Sequence, residues 1–428
     1  MALVQLTALA TCALLLVVLR ATFISWRLQR KLLTYTGAPG APFTGNILQL
    51  PKVRAHHNFR IGPATTAVLT VTDRALAKKL FDKWSASYSS RPTSQVGQNI
   101  ITGGDHLLVM HYSDNWCLFR KTINQHFSAS ICEKKHFRLL EAEHTQMMRD
   151  FLLHPEKYML HTRRTTNSII MSLLFGICTL SWDTPHMQDL YEIMELWSQI
   201  METGTTPPVD IFPWLHWAVA RGMKRLYSSF HRRAIEARRR AESASQYRAR
   251  SFLDDLGLTD NQVDFLGGVM MEGGSDTSST MLLVMIQVLD FSRLPYINVV
   301  VKEIMRWRPV TSLVFPHALS KDDWRITVFL NGRHKLAFDY AASSEYMQCY
   351  YYIYGAGRRL YPGIHLFGCS MFLGAAKLLW AFNFELARDE KGSLIPIDTD
   401  PTTSYTEDFL VCPRPYKCNE LHTRASIH

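Results

Sequence analysis

The pattern of apolar and polar positions separates an apolar amino-terminal run from a long body with helical periodicity. The run from Ala2 to Leu19 carries no charge and extends through Arg20 to Trp26, which is long enough for one tilted membrane span. After a strand-like stretch at Ala67 to Thr72, apolar residues recur at helical spacing with charge between them. That periodicity covers residues 137–153, 188–202 and 218–244. The pattern predicts a mainly α body behind a single amino-terminal transmembrane helix.

The basic residues around the apolar run indicate its orientation. None precedes the run, and those that follow it are Arg20, Arg27, Arg30 and Lys31. By the positive-inside rule, the body faces the cytosol. A cleaved signal peptide is the alternative, but the run lacks a basic leading segment and a good small-x-small cleavage site. We predict a transmembrane signal-anchor at 1–26, a basic and Pro/Gly-rich linker at 27–46 and the body at 47–428.

Composition narrows the class of protein without choosing a function. The chain has 428 residues, of which 47% are hydrophobic and 20% charged, which argues against disorder and against a many-span transporter. The net charge of +10 suits a membrane surface, an acidic partner or an anionic cofactor. The basic segment 232–250 is better explained as a solvated helix face than as a lipid-binding patch. No nucleic-acid-binding motif is present, so we predict no nucleic-acid partner.

The first candidate motif for chemistry is a Trp–Arg pair. Trp116 and Arg120 are four positions apart, so they share one helical face. An indole N–H and a guanidinium that point the same way are suited to binding carboxylates. The pair is weak evidence when taken alone, because W-x-x-x-R also occurs by chance.

The second motif interrupts a long apolar helix with two glycines followed by polar residues. Gly273 and Gly274 cost about 1 kcal/mol each against alanine, which is tolerable where a ligand approaches the backbone. Asp276 and Thr277 carry an acid and a hydroxyl into apolar surroundings, where they need polar partners. A packing notch would explain the glycines but not these two residues. The functional interpretation is a proton relay beside an oxygen-binding centre.

The third and fourth motifs lie nearer the carboxyl terminus. Glu303 and Arg306 are three positions apart, and their apolar flanks predict a buried intrahelical ion pair. The segment from Tyr354 to Gly363 contains Gly-Ala-Gly-Arg-Arg and precedes a helix-like run. A phosphate-binding loop is a poor interpretation of that segment, because no β-α-β pattern surrounds it.

Taken in this order, the four motifs resemble those of a microsomal cytochrome P450 of the fungal secondary-metabolism type, over nearly the whole chain. The phrases RLPYIN and PHALSKDDW around the third motif are similar to that branch of the family. The resemblance implies the cytochrome P450 fold, a large helical domain with a small β region, with haem between the second motif's helix and the fourth motif's loop. It also implies electrons from NADPH through a reductase, a lipophilic small-molecule substrate and an endoplasmic-reticulum membrane location.

The resemblance also implies roles for individual residues. Asp276 and Thr277 would deliver protons for oxygen chemistry at the haem iron, and Glu303 with Arg306 would lock the core on the cysteine side of the haem. The haem propionates would be bound by Trp116, Arg120 and Arg359. Three glycines would also contact the cofactor: Gly273, Gly274 and Gly357.

The chain departs from the family pattern at the axial cysteine, whose place is taken by Tyr361. The family's thiolate ligand favours O–O cleavage, and a phenol is a poorer donor. Segments that the family carries are also missing near 53–61, 289–294 and 325–333. Three hypotheses follow: a haem-dependent monooxygenase, a catalytically inactive or degraded relative, and a Tyr- or His-ligated haem protein with peroxidase-like chemistry.

Overall fold

The computed structural model describes seven residues between Gln5 and Phe23 and most of the chain beyond residue 65. The further described residues are 66–71, 74–201, 257–288, 297–311, 315–319, 325–330, 352–386, 388–400, 403–406, 411–416 and 418–423.

Helices make up most of the described residues, and we number them in chain order. They are α1 (Arg74–Lys78), α2 (Ser85–Tyr88), α3 (Asp114–His126), α4 (Ala129–Ile131), α5 (Phe137–Leu153), α6 (Tyr158–Phe175), α7 (Pro185–Met201), α8 (Asp260–Val288), α9 (Ile297–Trp307) and α10 (Ile364–Ala381). Shorter π-helical segments are Lys79–Lys83, Gln95–Ile101 and Cys132–His136, and 3-10 turns are Pro155–Lys157, Tyr352–Tyr354 and Gly357–Arg359. The predictions for 137–153 and 188–202 are confirmed, whereas 218–244 and the basic segment 232–250 lie outside the described residues.

The strands form two small sheets. They are β1 (Thr66–Val71), β2 (His317–Ala318), β3 (Arg325–Leu330), β4 (Phe382–Leu386) and β5 (Cys418–Thr423). The first sheet has the order β1-β3-β2, with β1 parallel to β3 and β2 antiparallel to β3. The second sheet pairs β4 with β5 in antiparallel fashion. A mainly α body with a small β region is therefore confirmed, and so is the strand predicted near residue 67.

The chain divides into two compact units. The smaller unit consists of Met1–Pro92, Leu313–Asn331 and Gly355–Arg359, and it contains the β1-β3-β2 sheet. The larger unit consists of Thr93–Ser312, Gly332–Tyr354 and Leu360–His428, and it contains α3 to α10.

The core of the larger unit is built around the close approach of α6 and α8. A Cβ at Gly274 on α8 would lie 2.5 Å from Cδ1 of Ile170 on α6, so the missing side chain is what lets the two helices pack. Ile170 is itself buried. Thr162 and Ser279 join the same helices through a buried hydrogen bond between hydroxyls of 2.9 Å.

One helix of the described residues, α10, is long and apolar enough to cross a membrane. It buries Leu366, Met371, Ala375 and Leu378, and Gly374 lies against Leu282 and His144, so within the larger unit it serves as a core helix. The predicted transmembrane helix at 1–26 lies mostly outside the described residues. The seven residues described there are helical and exposed.

Replacing Gly274 by alanine is expected to lower the free energy of unfolding by about 1–3 kcal/mol, because the new methyl group overpacks the contact with buried Ile170. The matched control is Gly368→Ala on α10, where a Cβ meets nothing within 4 Å and helix propensity favours alanine by about 1 kcal/mol. Urea unfolding of the detergent-solubilised chain, followed by circular dichroism, measures both. Equal effects of the two substitutions would show that the α6–α8 contact tolerates a methyl group.

Candidate functional site

The Trp–Arg pair lies on α3, which begins with a local cap. The Ser113 hydroxyl accepts a hydrogen bond from the backbone N–H of Trp116, which holds the first turn in place. Trp116 is buried, and the Arg120 guanidinium lies 5.6 Å from the centre of its ring. Arg120 also donates a hydrogen bond to the carbonyl oxygen of Leu360, in the segment that precedes Tyr361.

Arg120 is a desolvated cation. Burial lowers the pKa of its guanidinium to about 10, and among the described residues no carboxylate offsets that shift. A buried guanidinium held by a carbonyl oxygen and an aromatic face retains donors for an anion. These surroundings suit an anionic ligand group, and the role of Arg120 toward a propionate stays a prediction.

The two glycines of α8 face different neighbours. A Cβ at Gly273 would lie 3.6 Å from Cε2 of Tyr361, whereas the place of a side chain at Gly274 is filled by Ile170 of α6. The lack of a side chain at Gly274 therefore serves helix packing, and the role of both glycines toward a cofactor stays a prediction. Adjacent positions on a helix point about 100° apart, so a double glycine serves two surfaces.

Thr277 and Asp276 are also directed differently. The Thr277 hydroxyl donates a 2.5 Å hydrogen bond to the carbonyl oxygen of Gly273, one turn back along α8. Asp276 is buried, and its charge raises the pKa of three residues from three other segments. These residues are Arg163 of α6, Tyr191 of α7 and Cys412 near the carboxyl terminus.

Four residues form a polar group, which we call the Asp276 cluster: Asp276 and Cys412, which are buried, and Arg163 and Tyr191, which are partly buried. Burial lowers the pKa of Arg163, but the surrounding Tyr191, Asp276 and Cys412 outweigh it and leave that pKa raised. The Arg163 guanidinium lies 4.6 Å from the centre of the Tyr191 ring. Sequence reasoning missed this cluster because its members come from four separate segments; the sequence signal for it was only that Asp276 needs a polar partner.

Tyr361, in the part of the fourth motif that belongs to the larger unit, contacts Tyr354 and α8. Its backbone N–H donates to the carbonyl oxygen of Tyr354 at 2.7 Å, and the two rings are nearly parallel with centres 6.5 Å apart. Its hydroxyl donates to the carbonyl oxygen of Gly273 at 3.1 Å. Burial raises the pKa of the phenol to about 12.

The Glu303–Arg306 pair is formed as predicted but is not buried. The Arg306 Nε lies 2.8 and 3.0 Å from the two carboxylate oxygens of Glu303, in α9. The side chains are 22% exposed for Arg306 and 38% for Glu303, which corrects the expectation of a buried pair. The reason is helical phase: the buried residues of α9 lie on the opposite side of the helix at 100° per residue, and they are Val300, Val301, Ile304 and Met305.

Gly357 and Arg359 lie in the smaller unit. Gly357 has φ +60°, and a Cβ there would lie 2.1 Å from the carbonyl oxygen of Phe81, so only glycine fits. Arg359 is buried and its Nε donates to the carbonyl oxygen of Ser89 at 2.7 Å. The contacts that the structure gives these two residues anchor the 3-10 turn within the smaller unit, and their role toward a cofactor stays a prediction.

The comparisons with known proteins agree on one family. Residues 37–289, more than half of the chain, match the family model described as cytochrome P450. The chain is 68% identical to cytochrome P450 monooxygenase yanC of Aspergillus niger over 98% of this chain and 94% of that protein. It is 59% identical to cytochrome P450 monooxygenase macC of Penicillium terrestre, with the same coverage of each chain. These relatives support the monooxygenase hypothesis, and they give no support to the inactive or peroxidase-like alternatives.

The alignment with the Aspergillus niger protein is longer than the chain itself. It spans 511 positions and the chain has 428 residues, so at least 511 less 428, or 83, of those positions have no residue here.

A solved structure supports the fold. A zebrafish cytochrome P450 structure with progesterone matches 84% of this chain and 94% of its own, with a TM-score of 0.63 and 18% sequence identity. At that identity the match shows the fold alone.

Proposed function

Because the chain belongs to the cytochrome P450 family, we propose that it carries out haem-dependent monooxygenation of a lipophilic small molecule in fungal secondary metabolism, with electrons from NADPH through a cytochrome reductase. The observation that carries this proposal is the similarity along nearly the whole chain to two fungal proteins named cytochrome P450 monooxygenases. The fold and the buried cation at Arg120 agree with it.

The proposed location is the endoplasmic-reticulum membrane, with the signal-anchor at 1–26, the linker at 27–46 and the body at 47–428 in the cytosol. The exposed helical residues between Gln5 and Phe23 and the basic residues after the apolar run support this arrangement. Loss of family segments near 53–61, 289–294 and 325–333 is proposed as well. The positions of the Aspergillus niger alignment that have no residue in this chain support this loss. Residues 325–330 themselves are present and form β3.

The residues at the propionate side fit haem. Arg120 would hold a propionate, because its buried guanidinium lacks a carboxylate among the described residues and lies over Trp116. Arg359 is proposed for the same role from the family pattern. Haem supplies the oxygen chemistry of the family when it is bound, and Asp276 and Thr277 are the proposed proton-handling side chains of α8.

The residue at the iron side does not fit haem in this arrangement. In the family the porphyrin lies between the helix equivalent to α8 and the loop that carries residue 361. Here the Tyr361 hydroxyl reaches the carbonyl oxygen of Gly273 and bridges that gap directly.

The function is tested with the full-length chain and a cytochrome reductase in yeast microsomes supplied with excess haemin, NADPH and isotopically heavy dioxygen. Lipophilic extracts of Aspergillus niger and Penicillium terrestre cultures serve as the substrate panel. We expect an NADPH-dependent product that carries one heavy oxygen atom. Arg120→Leu should reduce its yield about tenfold or more through loss of a charged contact, whereas Leu at exposed Arg138 should not. A product without heavy oxygen, or equal product without the chain, contradicts the proposal.

A further inference from the structure

The space between Gly273 of α8 and the residues of the fourth motif that belong to the larger unit, Tyr354 and 360–363, is where the family pattern requires a porphyrin, and we call it the haem slot. In this chain an aromatic side chain bridges the slot from one wall to the other. The backbone of Tyr361 is tied to Tyr354 on the segment side, and its hydroxyl is bonded to Gly273 on the α8 side. Within the larger unit, the phenol therefore joins the two walls that a porphyrin would separate.

On the segment side the ring fits because Gly363 lacks a side chain, and on the α8 side it lies at van der Waals distance from Gly273. A Cβ at Gly273 would lie 3.6 Å from the ring, and one at Gly363 would lie 2.7 Å from the phenol oxygen. The carbonyl oxygen of Gly273 also accepts a hydrogen bond from the Thr277 hydroxyl, so it receives two O–H donors. The ring is further packed beside Tyr354, whose own hydroxyl contacts the sulfur of Met305. The closed arrangement is thus held by specific contacts on each side.

We propose that Tyr361 is a plug of the haem slot: its phenol occupies the place of the porphyrin and must leave Gly273 before any porphyrin enters. The plug acts by volume and not by binding iron, so it opposes porphyrins with and without a metal equally. The apparent affinity for a ligand falls by the fraction of molecules in the open arrangement. This inference rests on the proposed function, because it takes the haem slot from the family that the chain belongs to.

The test is a fluorescence titration of the detergent-solubilised full-length chain with metal-free protoporphyrin IX, beside an absorbance titration with haemin. Three proteins are compared: the natural chain, Tyr361→Phe, which keeps the ring, and Tyr361→Gly, which removes it. We expect Tyr361→Gly to bind metal-free protoporphyrin about 100-fold more tightly than the natural chain. Tyr361→Phe should bind both porphyrins at most about tenfold more tightly than the natural chain, because it loses the bond to Gly273 but the ring still fills the slot.

Two results would overturn the plug. One is haemin binding that falls at least about tenfold in Tyr361→Phe while protoporphyrin binding is unchanged, which would make Tyr361 an iron ligand. The other is equal protoporphyrin affinity in the natural chain and in Tyr361→Gly, both folded by circular dichroism. If Tyr361→Gly does not fold, Tyr361→Ala makes the same comparison with less backbone freedom.

The inference and the proposed function fail separately. The plug is judged by protoporphyrin binding, which needs neither iron nor turnover. The monooxygenase is judged by heavy oxygen in the product, measured in excess haemin so that a weakened affinity still allows loading. A protein that binds protoporphyrin only after the ring is removed, but yields no labelled product, keeps the plug and loses the function.

Discussion

Replacing Arg164 by methionine is expected to lower the free energy of unfolding by about 3–5 kcal/mol, because it leaves one buried and one partly buried carboxylate without their counter-ion. Arg164 lies on α6 and is 3% exposed. Its Nη1 is 2.9 Å from the Glu143 carboxylate and its Nε is 2.8 Å from that of Asp150, both on α5. Glu143 also accepts a 2.7 Å hydrogen bond from the Ser168 hydroxyl, so two side chains of α6 hold its carboxylate in place.

Arg138→Met is the matched control for Arg164→Met. Arg138 lies on α5 and is exposed, so its substitution should change stability by less than about 0.5 kcal/mol. Urea unfolding of both variants, followed by circular dichroism, gives the two free energies. A loss below about 1 kcal/mol for Arg164→Met would mean that water or another cation replaces the guanidinium. A loosened α6 would also release Ile170 from Gly274, so the effect reaches the helix that carries Thr277.

The free energy of unfolding of the natural chain is expected to fall as the pH is lowered from about 6.5 to about 4. His144 is expected to contribute about 3 kcal/mol of that loss. Burial lowers the pKa of His144 to about 4, opposed by its hydrogen bond to the Leu140 carbonyl and helped by the charges of Lys377 and Arg164. Its neutral ring is held by Leu140 at 2.7 Å and by the Ser370 hydroxyl at 3.3 Å.

The sign follows from comparing the folded and unfolded states. The unfolded imidazole takes up a proton near pH 6.5 and the folded one only near pH 4, so acid favours the unfolded state between those values. His144→Gln is neutral throughout and should show a flatter pH profile in the same urea experiment. The pKa of His161 is lowered as well, mainly by burial, so some slope should remain in that variant. Parallel profiles for the natural chain and His144→Gln would contradict the assignment.

The candidate site shows where sequence reasoning succeeds and where it stops. The helical face shared by Trp116 and Arg120 is a consequence of spacing, and the structure retains it. The ion pair of Glu303 and Arg306 is likewise local and is present. The pair is partly exposed and not buried, because apolar neighbours along the sequence need not be neighbours in space and the helix turns the pair away from its buried side.

Long-range contacts could not be predicted in the same way. The charges around Arg164 are supplied by α5, and the partners of Asp276 come from α6, α7 and the carboxyl-terminal segment. No spacing rule joins residues so far apart along the chain. A polar residue in an apolar helix indicates that a partner exists, but not which residue it is.

The sequence by itself determined the family resemblance, the helical body, the order of the four motifs and the presence of tyrosine at position 361, because each depends on residue identity or on local spacing. Only the tertiary structure decided that Gly274 serves helix packing, that Gly273 meets the ring of Tyr361, and that the phenol donates to the Gly273 carbonyl oxygen. The physical reason is that α8 and the segment carrying Tyr361 are brought together by the packing of the whole larger unit. A hydrogen bond between residues 88 positions apart exists only once that packing has formed.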